Sequence, residues 1–115
     1  MLADGVRLFN SGRYHDAHEA FERLWMSTTG PDSDFYKGLI QASIAMHHKE
    51  DGNLDGARKL YSGHRRLLAA YLPHHRGLDV ADLLDEMQRA LRPVLRSEPA
   101  DPALAPPRMS LSAQA

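Results

Sequence analysis

The sequence HEAFERLW, residues 18–25, lies in a segment whose apolar residues recur every three or four positions. At about 100° per residue, these residues fall on one face of a helix that begins near residue 14 and ends near residue 27. That face comprises Tyr14, Ala17, Phe21, Leu24 and Trp25, with His18 in its middle and Glu22 at its edge. Because His18 and Glu22 are four residues apart, their side chains point the same way. We expect both to be buried where this helix meets its neighbours.

The same helical period recurs along most of the chain. It predicts a short helix over residues 2–10, and further helices over residues 34–50, 54–71 and 80–96, separated by turns rich in Gly, Pro, Asn and Asp. Pro93 is expected to end or kink the last helix. No segment alternates as a strand does. We therefore predict an all-α fold, a compact helical bundle of four longer helices and a short N-terminal one.

The apolar period stops at residue 96. The segment that follows contains Pro99, Pro102, Pro106 and Pro107 among Ala and Ser, without a periodic apolar face. We predict one helical-bundle domain over residues 1–96 and a Pro/Ala-rich tail over residues 97–115 that is flexible or lies on the surface.

Composition excludes several classes of function. The chain of 115 residues has 14 Lys and Arg against 15 Asp and Glu, so its net charge of −1 gives no drive towards nucleic acid or an anionic membrane. No run approaches the roughly 18 apolar residues of a membrane span. Cysteine is absent, which excludes disulfides, thiolate nucleophiles and Cys-ligated zinc. We expect a cytoplasmic protein that binds neither nucleic acid nor membrane, with homo-oligomerisation left open.

Polar residues also interrupt the helix predicted over residues 34–50. This helix is apolar nearly all round, as a central helix of a bundle should be. Gln41 and His48 lie seven residues apart on one of its faces. We expect this face to meet His18 and Glu22, with Trp25 beside them. The candidate ligand pocket therefore comprises His18, Glu22, Trp25, Gln41 and His48.

Two explanations fit these polar residues. Imidazole and carboxylate groups suit a divalent transition metal, and His18, Glu22 and His48 would be its ligands, with His47 or His64 as further donors. Alternatively, His18, Glu22, Gln41 and His48 form a hydrogen-bond network that fixes the register of the helices. The zinc-protease signature HExxH is excluded, because residue 22 is Glu.

Three blocks of the sequence together resemble a known family. They are FNSGRYHDAHEAFERLW (residues 9–25), FYKGLIQASIAMHH (35–48) and GNLDGARKLY (52–61). Their order and spacing resemble the bacterial and archaeal family called domain of unknown function 309, over roughly residues 7–71. Its motif of His, three residues, Glu, two residues and Trp or Tyr matches His18, Glu22 and Trp25, and its GLIQ block matches residues 38–41. The resemblance implies a helical fold and a suggested metal-binding role, without an established substrate.

Three functions remain open from the sequence. The first is binding of a metal or small ligand in the predicted pocket. The second is a non-catalytic interaction module, either homodimeric or binding another protein. Residues 12–24 have the spacing of a tetratricopeptide-like helix pair, although the 34-residue period does not recur. The third is a metal-dependent hydrolase with Glu22 as general base. No Ser lies in a nucleophile-elbow context.

Overall fold

A computed structural model of the protein describes residues 1–112. Within this range the chain forms six α-helices: α1 (Leu2–Asn10), α2 (Tyr14–Met26), α3 (Ser33–Glu50), α4 (Leu54–Leu68), α5 (Val80–Ala90) and α6 (Arg92–Leu95). The predicted all-α bundle is confirmed. None of the helices in the described range is long and apolar enough to cross a membrane.

Helix α3 occupies the centre of the bundle. It packs against α2 on one side and α4 on the other, and α1 packs against α2. Its side chains are buried in most directions, which explains why the sequence of this helix is apolar nearly all round. Most of the fully buried side chains that fill the core come from α1, α2, α3, α4 and α5, and the largest include Phe9, Phe21, Phe35, Leu39, Leu68, Leu83 and Met87.

Two helices begin with the side-chain caps that their sequences predict. The Asn53 Oδ1 atom accepts a hydrogen bond of 3.0 Å from the Gly56 backbone N–H at the start of α4. The Asp79 Oδ1 atom accepts one of 2.9 Å from the Asp82 backbone N–H at the start of α5. Each cap satisfies a backbone donor that has no partner within the helix.

The C-terminal half departs from the expected helix boundaries. The helix predicted over residues 80–96 is divided: α5 ends at Ala90, and the short α6 carries Pro93 in its first turn. After α4, a single 3₁₀ turn covers Ala69–Tyr71. An antiparallel hairpin then pairs β1 (His74–His75) with β2 (Leu78–Asp79). The sequence predicts no strand here, because two residues are too few to show an alternating pattern.

The described part of the tail follows the surface of the bundle and ends beside the hairpin. Asn10 at the end of α1 forms two hydrogen bonds with the Met109 backbone. Its Nδ2 donates to the Met109 carbonyl at 2.9 Å, and its Oδ1 accepts from the Met109 N–H at 2.7 Å. Leu111 forms a bridge with Leu78 of β2. Met109 itself is buried. We call this pair of hydrogen bonds between Asn10 and Met109 the tail anchor.

Candidate functional site

The buried face of α2 differs from the one that the sequence predicts. Its buried residues are Tyr14, Ala17, Ala20 and Phe21. The centre of this face is rotated by roughly 30° towards Ala20, at 100° per residue. As a result, the His18 side chain is 23% exposed and the Glu22 side chain 47% exposed. Trp25 is 36% exposed. The expected burial is wrong for Glu22 and Trp25 and only partial for His18.

Gln41 does not face α2. Its Oε1 atom is buried and has no hydrogen-bond partner within residues 1–112. This atom lies against Gly63 of α4, in the space that a Cβ would need. His48 lies with its Nδ1 atom 3.4 Å from the Asn53 Nδ2 atom. In the described chain, no hydrogen bond, ion pair or ring contact joins the pair His18 and Glu22 to Gln41 or His48, so the expected network is not formed.

The structure instead brings four histidines of α2 and α3 together. We call His15, His18, His47 and His48 the histidine face. The ring centroids of His15 and His18 are 5.6 Å apart, and those of His15 and His47 are also 5.6 Å apart. The rings of His47 and His48 are separated by 6.4 Å. The two helices therefore do meet through imidazoles, but the contact runs through His15 and His47.

Carboxylates accompany three of these imidazoles. In each case the His Nε2 atom lies near a carboxylate four residues later in the chain: His15–Glu19 at 3.7 Å, His18–Glu22 at 3.5 Å and His47–Asp51, at the end of α3, at 3.3 Å. The first and third pairs are not among those predicted from the sequence. The signal that could have found them is the same i,i+4 spacing that distinguished His18 and Glu22.

The histidine face does not form a closed metal centre with its present side-chain positions. Among residues 1–112, no group of three or more His, Cys, Asp or Glu residues is arranged to hold a metal ion. The Glu22 carboxylate is half exposed, and within the described residues it forms an ion pair with His18 and with no other side chain. A buried general base at this position is therefore not formed either.

His64, a further donor considered from the sequence, is not part of this face. Its side chain in α4 is fully buried, and neither ring nitrogen has a hydrogen-bond partner in the described chain. Burial lowers the pKa of this imidazole from 6.5 to about 4, and the charge of Arg65 adds to the shift. The nearby Gly38 carbonyl raises this pKa slightly, although it does not reach hydrogen-bond geometry with either ring nitrogen. His64 is therefore a neutral core residue at pH 7.

Comparisons with known proteins cover the helices that carry the histidine face. A sequence model of the family described as Domain of unknown function (DUF309) matches residues 2–60, which is just over half of the chain. An uncharacterized protein from Aquifex aeolicus (strain VF5) is 24% identical over 92 residues. These residues make up 79% of this chain and 28% of that protein, so the match spans little more than a quarter of the relative's length.

Proposed function

We propose that this chain, which belongs to the DUF309 family, binds a divalent transition-metal ion through the imidazoles of His15, His18 and His47. The observation that carries the proposal is the approach of His15 to both other rings, at 5.6 Å in each case. Neutral imidazole is the commonest protein ligand of such metals, and Zn, Cu and Ni all accept it.

The ring separations suit a shared ion. With Zn–N distances of about 2.0 Å and tetrahedral angles, the centroids of two imidazoles on one zinc lie about 5 Å apart. The side chains of His15 and His47 are 62% and 39% exposed, so their rings can turn without disturbing the core. The carboxylate contacts that they would give up are solvent-exposed and contribute little to stability. Glu22 beside His18 supplies an oxygen donor, in keeping with the family motif.

Calorimetric titration of Zn²⁺ and Ni²⁺ into the untagged chain at pH 7.5 tests this proposal. We expect one ion per chain, and His15→Ala, His18→Ala and His47→Ala should each weaken binding by about tenfold or more, since each removes one ligand. His74→Ala is the matched control, because His74 is an exposed histidine in β1 outside the face. Absence of stoichiometric binding, or unchanged affinity in His15→Ala, would contradict the proposal.

A second candidate function is an interaction module that pairs with a copy of itself. The specific observation is the exposure of two large apolar side chains at the end of α2, Trp25 at 36% and Met26 at 73%. Sedimentation of the wild type and of Trp25→Ser distinguishes the two functions. Self-association that Trp25→Ser abolishes, with metal affinity unchanged, favours the module. A wild type that stays monomeric at all concentrations contradicts it.

A further inference from the structure

A shallow hollow between α3 and α4 carries positive charge that no acidic group within residues 1–112 pairs with. It has a volume of about 460 Å³ and lies away from the residues of the histidine face. We call it the basic hollow, and its lining residues are Gln41, Lys59, Leu60, Ser62, Gly63 and Arg66. None of these is acidic. The wall therefore holds two cations and no carboxylate.

The two cations of the hollow differ from the other basic residues of α4. Arg58 pairs with Asp55 at 2.8 Å and donates to the Val94 carbonyl at 2.9 Å. Arg65 donates to the Leu84 carbonyl at 3.1 Å. Both of these arginines thus fasten α4 to the C-terminal helices. Lys59 and Arg66 are exposed and have neither an ion pair nor a hydrogen bond with any residue in the 1–112 range. Being seven residues apart, they project from the same side of α4.

Gln41 adds hydrogen-bond donors to this wall. Its buried Oε1 atom faces Gly63, whose α-hydrogen takes the place of a Cβ and points at the oxygen. A carbonyl oxygen accepts a weak Cα–H···O contact, which an amide NH₂ group in the same place could not do. The Nε2 group is consequently left on the accessible side of the side chain. It has no hydrogen-bond partner within the described residues, and neither does the exposed Ser62 hydroxyl.

We infer that the basic hollow binds a phosphate dianion, either inorganic phosphate or the phosphate of a small monoester. Lys59 and Arg66 supply the charge, and Gln41 Nε2 and Ser62 Oγ donate hydrogen bonds to the remaining oxygens. Charge-assisted bonds of this kind favour a doubly charged oxyanion over a singly charged carboxylate. The hollow is larger than a bare phosphate ion, so it has room for the carbon skeleton of an ester. The Leu60 side chain in its wall offers that skeleton an apolar contact.

Nuclear magnetic resonance titration of the metal-free, full chain tests this inference at constant ionic strength and pH 7.5. The probes are inorganic phosphate, glycerol 3-phosphate and acetate. We expect both phosphates to shift the amide signals of residues 59–66 and to saturate. Tighter binding of the ester favours a monoester as the ligand, and tighter binding of inorganic phosphate favours the free ion. Acetate that binds as tightly as phosphate would overturn the inference.

Variants at exposed positions complete the test without risk to folding. The double variant Lys59→Gln with Arg66→Gln should weaken phosphate binding by about tenfold or more. Arg23→Gln and Lys37→Gln are the matched controls, since both residues are exposed cations without an ion pair in the described chain and lie outside the hollow. An unchanged affinity in the double variant, or shifts confined to other helices, would overturn the inference. Because metal is absent, these outcomes are independent of the histidine face.

Discussion

The buried imidazole of His64 makes the stability of the folded protein depend on pH. Both of its ring nitrogens are buried without a hydrogen-bond partner among residues 1–112, and its pKa falls to about 4 in the folded protein. Below pH 6.5 the unfolded chain therefore binds a proton that the folded chain does not. A pKa that falls from 6.5 to about 4 on folding corresponds to about 3 kcal/mol of stability, present near neutral pH and lost as the pH is lowered to 4.

We expect His64→Leu to remove this dependence. At pH 7.5 the variant should be about as stable as the wild type, because leucine leaves no buried polar atom unsatisfied. Between pH 6.5 and pH 4 the wild type should lose about 3 kcal/mol more than the variant. Urea unfolding followed by circular dichroism at a series of pH values measures the difference. Parallel stability curves for the two proteins would contradict the assignment.

Single residues also show which parts of the candidate site could be predicted from the sequence and which could not. The i,i+4 spacing of His18 and Glu22 correctly indicated that the two side chains meet. Periodicity gives the direction of a side chain about its helix, but the centre of the buried face depends on which neighbours pack there. Since α2 packs chiefly against α1 and α3, Ala20 is buried and Trp25 is exposed. For the same reason, the sequence could not show that Gln41 turns towards α4.

At the scale of elements, the contact between α3 and α4 depends on two glycines. A Cβ at Gly38 would lie 2.6 Å from Leu68 Cδ2 and 2.7 Å from its Cγ. Leu68 is fully buried and cannot move aside. At Gly63 a Cβ would overlap the amide oxygen of Gln41. Both glycines thus leave room for a side chain at the contact between the two helices, at the cost in helix propensity that glycine carries.

Gly38→Ala should destabilise the protein by about 1–3 kcal/mol, because the added methyl group overpacks this contact. Leu68→Ala alone should cost about 2–5 kcal/mol through the cavity that it leaves. The double variant should cost at least about 1 kcal/mol less than the sum of the two, since each change relieves the other. Chemical unfolding of the four proteins measures the coupling. Strict additivity would show that the close contact does not limit packing.

Helices were the most predictable elements, because each carries a period, caps or breakers in its own sequence. The first four begin and end within three residues of their expected positions. The division near Pro93 follows from the fixed φ and missing N–H of proline. By contrast, the hairpin of β1 and β2 consists of two-residue strands, which are too short to show an alternating pattern. Leu78 of this hairpin also forms a bridge with Leu111, more than 30 residues away, and no local pattern predicts such a contact.

For the molecule as a whole, the tail anchor connects the last described residues to the first helix. Asn10→Ala removes two hydrogen bonds to Met109, and it should cost about 1–3 kcal/mol because the partner groups are part-buried. We expect the amides of Met109 and Ser112 to lose protection selectively in hydrogen exchange, while the core amides of α3 keep theirs. Asn53→Ala, which removes the cap of α4, is the control. Uniform loss of protection in Asn10→Ala would contradict a local role.

The path of the tail also brings the two ends of the described chain to one side of the bundle. Met1 and Leu111 line the same cavity, of about 510 Å³. A domain whose chain ends lie close together can be inserted into a loop of a larger protein without separating the two sides of that loop. Fusing a fluorescent donor and acceptor to the two termini should therefore give efficient energy transfer in the folded state, and unfolding should abolish it.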